Sequence, residues 1–211
     1  MILTPIPAAD LVPLLDRFMS GLSDGPARWA FARIAFPENA KRACGSMAAR
    51  DHRRALALAA AQGIATRAGS PALDFSWNGE SLRADTEAYV LLHEVAHFQL
   101  AAPERRQIVD FGLGAGPETG DRAAADSAAC LFGMAREQEE ALASLLGILW
   151  EVELGQPALA SLLDQNWLEG AGRPGAARHF ETMLGDLRTR GFVDPALRPT
   201  CHLRDEPDAM R

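Results

Sequence analysis

Apolar residues recur at helical spacing along most of the chain, and this pattern predicts a predominantly helical protein. The helix over residues 137–154 has the clearest buried stripe, formed by Leu142, Leu145, Leu146 and Leu149. The expected helices cover residues 8–22, 48–66, 86–102, 123–135, 137–154, 158–167 and 175–190. Asp85 or Thr86 can cap the helix that ends near residue 102.

Two other stretches have patterns typical of strands. Residues 29–36 are rich in aromatic side chains at alternate positions and stop at Pro37. Residues 73–77 alternate with period two and are followed by Asn78-Gly79, a strong signal for a tight turn. The pattern therefore predicts an α+β fold that is predominantly helical, with a short strand or hairpin region. We expect a single domain over residues 1–195 and a poorly ordered tail over 196–211, where proline and charged residues are frequent.

The sequence His93-Glu94-Val95-Ala96-His97 lies in the middle of the apolar helix 86–102. At about 3.6 residues per turn the two histidines lie one turn apart on the same face, so both can bind one metal ion. Glu94 lies beside that face. It can act as a catalytic base, or its carboxylate can accept a hydrogen bond from a metal ligand. This pattern is typical of a zincin-like metal helix, and we expect the strand or hairpin region to pack beside it.

Two histidines alone do not make a catalytic metal site. A catalytic zinc ion usually has three protein ligands, and non-haem Fe(II) oxygenases use two histidines and one carboxylate. Glu140 is the preferred third ligand, because it begins the buried stripe of helix 137–154 and a buried charge is costly unless it is paired or bound to metal. Glu137 lies on a similar face and can support a ligand, whereas Glu139 is expected to face solvent. The other acidic candidates are Asp110, Asp121 and Asp126.

The segment after the metal helix offers further candidates. Arg105 and Arg106 can bind an anionic group or form structural salt bridges. Asp110 can orient a ligand histidine through its second ring nitrogen, or cap the next segment. The glycine-rich loop over residues 112–120 can cover a substrate or serve as a surface connection. His179 has no partner at ligand spacing and is expected at the surface or in the core.

Composition narrows the function classes. The net charge of −7 argues against a general nucleic-acid-binding surface. The chain has no apolar run of about 18 residues and no signal peptide at residue 1, so we expect neither a membrane span nor secretion. The three cysteines are widely spaced and include no C-x-x-C pair, which is typical of a cytoplasmic protein without a disulfide framework.

The chain resembles the elongation factor P hydroxylase family over roughly residues 80–170. Members of that family carry an H-E-x-[SA]-H helix, a paired arginine and a V-D-[FY]-G stretch, and here these are His93 to His97, Arg105-Arg106, and Val109 to Gly112. The similarity continues through Glu137–Glu140 and the helix before Gly155-Gln156-Pro157, to Leu168-Glu169-Gly170. Aromatic residues follow the V-D-[FY]-G stretch in the family, whereas Leu113-Gly114-Ala115-Gly116 stand there in this chain.

The resemblance implies a non-haem iron monooxygenase that hydroxylates the modified lysine of elongation factor P, or acts on a related protein. His93 and His97 match the histidine ligands of the family, and Glu140, fifteen residues before Gly155, matches the glutamate. Fe(2+) would be the cofactor and molecular oxygen a co-substrate, with Glu94 supporting the site or handling protons. Two alternatives stay open. The first is a zinc metallopeptidase in which Glu94 is the catalytic base, and the second is an inactive metal-binding protein.

Overall fold

The computed structural model describes residues 6–70, 72–171 and 174–208. The helices in these ranges are α1 (Ala8–Gly21), α2 (Gly25–Ile34), α3 (Gly45–Ala61), α4 (Ala88–Leu100), α5 (Arg122–Ser127), α6 (Gly133–Glu153), α7 (Ala158–Asp164) and α8 (Pro174–Thr189). Strands β1 (Ala65–Arg67) and β2 (Ser81–Arg83) form a parallel pair in which Ala65 lies opposite Ser81. The predominantly helical α+β fold is thereby confirmed. Within the described ranges, no helix is long and apolar enough to cross a membrane.

Helices α4 and α6 form the centre of the protein. Helix α4 is apolar on nearly every side, as expected for a helix enclosed by other elements, and buries Val90, Leu91, Leu92, Val95, Ala96 and Leu100. Helix α6 packs along α4 and also contacts α2, α7 and α8. Its predicted stripe is buried, and Gly147 lets its backbone approach α4 closely. A Cβ atom at this position would lie 3.2 Å from Cα of His93.

The strand predicted over residues 29–36 is wrong, because α2 covers most of that stretch. The buried residues of α2 are Ala27, Ala30, Phe31 and Ile34, whose spacing is that of one helical face. Pro26 lies in the first turn, where its missing N–H is tolerated. Trp29 and Phe36, which gave the stretch its strand-like character, are 59% and 52% exposed.

The hairpin expected after residues 73–77 is reduced to a single antiparallel bridge between Trp77 and Leu82. The tight turn itself is present: the Asn78 side-chain oxygen accepts hydrogen bonds from the N–H groups of Glu80 and Ser81. Strand β2 then pairs with β1, which follows α3. Helix α3 ends at Ala61, so the helix predicted over 48–66 is too long at its C-terminal end.

The helix predicted over residues 123–135 is interrupted. Helix α5 ends at Ser127, and the N–H groups of Cys130 and Leu131 then donate hydrogen bonds to the carbonyl of Gly112. Helix α6 begins at Gly133, four residues before the start that the sequence indicates. The extra turn carries the N-terminal end of α6 to the rim of the site described below.

Residues 196–208 fold back onto the end of α4, where the sequence predicts a poorly ordered tail. The Gln99 side chain donates a hydrogen bond of 2.8 Å to the carbonyl of Thr200. Arg105 forms an ion pair of 2.5 Å with Asp208. Composition does not reveal these contacts, because the partners lie far apart in the sequence. The last three residues of the tail lie outside the described ranges.

Candidate metal centre

The two histidines of the motif lie side by side on α4. Their Nε2 atoms are 3.0 Å apart, and their rings are perpendicular. The side chain of His97 is 4% exposed, whereas that of His93 is 25% exposed and faces a cavity. The capping predicted for Asp85 or Thr86 is wrong, because α4 begins after Glu87 and no side chain caps it. Because no side chain caps α4, the packing of its apolar residues against neighbouring elements holds His93 and His97 in position.

Glu140, the preferred third ligand, reaches the histidines from α6. Its Oε2 atom lies 3.4 Å from Nε2 of His97 and 3.8 Å from Nε2 of His93. Metal–ligand bonds of about 2.0–2.1 Å place neighbouring ligand atoms about 2.8–3.0 Å apart at octahedral angles and about 3.3–3.4 Å apart at tetrahedral angles. The three side chains can therefore hold a metal ion after a small movement of Glu140. Their spacing fits zinc and Fe(II) equally well.

The charges of these three side chains depend on one another. Burial lowers the pKa of His97, but the adjacent Glu140 carboxylate outweighs burial and raises that pKa to about 9. Burial and the neighbouring His97 together lower the pKa of His93. Burial raises the pKa of the Glu140 carboxyl, but the two imidazoles outweigh it and hold that pKa well below its usual range. Without metal, a protonated His97 would thus pair with the Glu140 carboxylate beside a neutral His93 ring. A metal cation bound here would displace the proton of His97.

Glu94 lines the same cavity but does not belong to the group of three donors. Burial raises the pKa of its carboxyl to about 8. A carboxyl group that titrates near neutral pH beside a metal site can take up or release a proton during a reaction. This position is compatible with both roles predicted for Glu94, a catalytic base and a proton-handling group.

Asp110 forms no hydrogen bond with His93 or His97 among the described residues. Its carboxylate accepts hydrogen bonds from the N–H of Trp77 at 3.1 Å and from the hydroxyl of Thr119 at 2.6 Å. The Nδ1 atoms of both histidines are buried and have no hydrogen-bond partner among the described residues. The predicted role of Asp110 in orienting a ligand is therefore wrong. Asp110 instead ties the turn near Trp77 to the loop that borders the cavity.

Arg105 and Arg106 lie behind the metal centre and do not line the cavity. Arg105 is buried and paired with Glu139, which corrects the expectation that Glu139 faces solvent. Arg106 donates hydrogen bonds to two backbone carbonyls, those of Phe98 and Arg204. Both arginines thus form structural contacts, which is one of the two roles that the sequence allows for them. The exposed Glu137 side chain, by contrast, lies on the cavity wall.

The cavity in front of the metal centre has a volume of about 1380 Å³. The glycine-rich loop forms one of its walls, with residues 113–119 lining it. Asp126 holds this loop in place, because its carboxylate accepts a hydrogen bond of 2.7 Å from the N–H of Ala115. The loop therefore belongs to the site and is not a remote surface connection.

The cavity lining is rich in acidic side chains. Among the described residues, two arginines, Arg122 and Arg136, line the cavity, against seven acidic residues. These are Glu94, Asp110, Glu118, Glu137, Glu140, Asp164 and Glu169. An excess of carboxylates favours a cationic ligand over an anionic one.

Two residues that sequence reasoning missed also line the cavity. Trp167 and His179 stack with ring centroids 5.4 Å apart. The Trp167 indole N–H donates a hydrogen bond of 2.6 Å to the hydroxyl of Ser144. No local spacing points to this pair, because Trp167 follows α7 and His179 lies on α8.

Comparisons with known proteins leave the chemistry of this site to be inferred from its own residues. The chain matches no protein-family model, no curated protein and no solved structure.

Proposed function

We propose that this protein is an Fe(II)-dependent hydroxylase of a protein side chain, similar to the enzyme that hydroxylates the modified lysine of elongation factor P. The observation that carries the proposal is the meeting of His93, His97 and Glu140 at the wall of a wide acidic cavity. These residues occupy the positions that the resemblance assigns to the metal ligands. We place the protein in the cytoplasm, where elongation factor P works.

The ligand set supports iron chemistry. Two histidines and one carboxylate on one side of a metal ion are typical of non-haem Fe(II) oxygenases, because the opposite side is left for oxygen and substrate. When bound, Fe(II) would supply the activation of molecular oxygen: one oxygen atom enters a C–H bond of the substrate, and the other leaves as water with two protons and two electrons from an external reductant. The protein would hold the ion through three side chains, shield it on the α4 and α6 side, and present it to the cavity.

The acidic lining supports a cationic substrate group such as a modified lysine. Glu118 and Glu137 lie on the cavity wall together with Glu140 and can attract an ammonium group. Trp167 and His179 add aromatic surface, which attracts cations through the faces of the rings.

The glycine-rich loop supports a substrate that differs in shape from that of the family. Family members carry aromatic residues after the V-D-[FY]-G stretch, but Leu113 to Gly116 stand here and line the cavity. Small side chains leave more space at this wall. The metal chemistry can thus be conserved while a bulkier protein segment enters the site.

A zinc metallopeptidase is the second candidate, and the position of Glu94 favours it. The motif is that of the zincin-like metal helix, and Glu94 lines the cavity beside the ligand group. In such an enzyme the zinc ion would polarise the peptide carbonyl and Glu94 would take a proton from the attacking water. The third possibility, an inactive protein with a structural metal, is favoured less. A structural zinc site usually has four protein ligands, whereas the described residues bring three together.

The experiment that separates the two enzymes is a mass measurement on the candidate substrate. Elongation factor P is isolated from cells with and without this protein, and the intact mass of the factor is measured. A hydroxylase leaves the factor heavier by one oxygen atom only in cells that contain the protein. Cells carrying Glu140→Gln should lack that oxygen, whereas cells carrying Glu80→Gln, a change at an exposed residue outside the cavity, should retain it.

An unchanged mass of elongation factor P, together with tightly bound zinc and peptide cleavage that Glu94→Gln abolishes, would contradict the hydroxylase and establish the peptidase.

A further inference from the structure

The guanidinium of Arg105 lies at a junction of three parts of the chain, directly behind the metal centre. Its Nη1 atom donates a hydrogen bond of 2.8 Å to the carbonyl of Phe111 and another of 2.9 Å to Glu139. Its Nη2 atom bonds the second carboxylate oxygen of Glu139, and its Nε atom bonds Asp208 at 2.5 Å. The side chain is 2% exposed. All three nitrogen atoms of a buried cation are therefore committed to fixed partners.

Each of the first two partners is next to a metal ligand. Glu139 directly precedes Glu140 on α6, so fixing its carboxylate fixes the turn that presents Glu140. Phe111 lies against a second ligand, because its ring stacks on that of His97 with centroids 5.8 Å apart. Phe111 has a φ of 55°, a left-handed conformation that a non-glycine residue rarely adopts unless its surroundings hold it. The Arg105 hydrogen bond holds the carbonyl of this residue.

The chain path makes Arg105 a bridge between the two ligand helices. Arg105 follows α4, which carries both histidines, and reaches across to α6. The two ligand helices also approach each other closely at Gly147, two turns after Glu140. Glu140 thus lies between two points at which α6 is held: the contact with α4 at Gly147, and the pair that Glu139 forms with Arg105 in the segment after α4.

We propose that Arg105 is a positioning residue for the metal centre. Its guanidinium holds Glu140 and the ring beside His97 in the arrangement that binds metal, and Asp208 of the C-terminal tail holds the guanidinium in turn. Arginine suits this task better than lysine, because its planar fork bonds several acceptors in fixed directions. The inference rests on the proposed metal centre but not on the reaction that the centre performs.

The test measures Co²⁺ affinity by optical titration and, separately, the thermal stability of the metal-free protein. The main variant is the double substitution Arg105→Met with Glu139→Met, which leaves no unpaired buried charge. Replacing a buried ion pair by apolar side chains of similar volume often preserves folding. We expect this variant to fold and to bind Co²⁺ at least about tenfold more weakly, as is usual when groups that orient metal ligands are removed.

Arg106→Met is the matched control. Arg106 neighbours Arg105 and also contacts the tail, but its hydrogen bonds go to the carbonyls of Phe98 and Arg204 rather than to α6. We expect this variant to keep the Co²⁺ affinity of the wild type even where it lowers stability. If the double variant does not fold, Glu139→Gln replaces it, because it keeps the shape of the side chain and weakens the bonds to Arg105.

Three results would overturn the inference. Wild-type Co²⁺ affinity in the folded double variant, or in Glu139→Gln if that is the variant measured, would show that Arg105 does not position the ligands. An equal loss of affinity in Arg106→Met would show that general destabilisation is the cause. A wild-type protein that binds no Co²⁺ would instead remove the metal centre itself, and this failure is distinguishable because it precedes any variant.

Discussion

Replacing Gly147 by alanine tests how closely the two ligand helices must approach. The added Cβ atom would lie 3.2 Å from Cα and 3.3 Å from the backbone nitrogen of His93. Both are backbone atoms, so no side-chain rotation can relieve the crowding. The helices must separate by a few tenths of an ångström, and the part of α4 that moves carries a metal ligand.

Two opposing effects set the size of the change in stability. Alanine is favoured over glycine inside a helix by about 1 kcal/mol, whereas crowding a packed interior costs about 1–3 kcal/mol. We therefore expect Gly147→Ala to lower the free energy of unfolding by about 1 kcal/mol and to weaken metal binding as well. Urea unfolding of the metal-free protein measures the first effect and a metal titration measures the second.

Gly185→Ala is the matched control on α8. A Cβ atom at Gly185 meets nothing within 4 Å, so only the helix preference acts and the free energy of unfolding should rise by about 1 kcal/mol. Metal affinity should stay at the wild-type value. If Gly147→Ala stabilises the protein as much as Gly185→Ala and leaves metal affinity unchanged, the close approach of the ligand helices has no role in the site.

Three further predictions concern acidic residues. Burial raises the pKa of the Glu151 carboxyl from 4.5 to about 7, so the folded protein holds a proton that the unfolded chain releases, and stability should fall by about 3 kcal/mol between pH 4.5 and 7. Urea unfolding at several pH values checks this, and Glu151→Gln should remove that part of the slope; an unchanged slope would place the titration elsewhere. Glu139→Ala should cost about 2–3 kcal/mol because it removes the hydrogen bonds between a buried guanidinium and this carboxylate, while Arg105 keeps Asp208 as a partner. The exposed Glu137→Ala should change stability by less than about 0.5 kcal/mol; equal losses in urea unfolding would contradict the buried pair. Glu94→Gln should reduce turnover by about 100-fold or more with metal content unchanged, since proton transfer by a placed side chain contributes about that much; wild-type turnover would exclude Glu94 from proton transfer.

The metal ligands could be anticipated from sequence because each is marked by a local pattern. The two histidines share a face at one-turn spacing, and Glu140 begins an apolar stripe on the next long helix. Helical periodicity is a property of neighbouring residues, so a single sequence reveals it.

The predictions for Glu139 and for the tail are wrong because both depend on contacts between segments that are far apart in the chain. Glu139 lies three residues before Leu142 and shares its buried side, but its burial depends on Arg105, which the stripe alone does not indicate. The tail is held by Gln99 and Arg105, and composition does not show this docking. The strand predicted over residues 29–36 is wrong for another reason. The exposed aromatic side chains of Trp29 and Phe36 gave the stretch an alternating pattern, which hid the buried helical face of α2.

The metal content of the purified protein tests the central claim most directly. The protein is prepared without oxygen and supplied with iron, and bound iron is counted per chain. We expect one iron ion per chain in the wild type and in Glu137→Gln, and almost none in His97→Ala and Glu140→Ala while both variants remain folded. Iron retained at the wild-type level by Glu140→Ala would contradict a metal centre built from His93, His97 and Glu140.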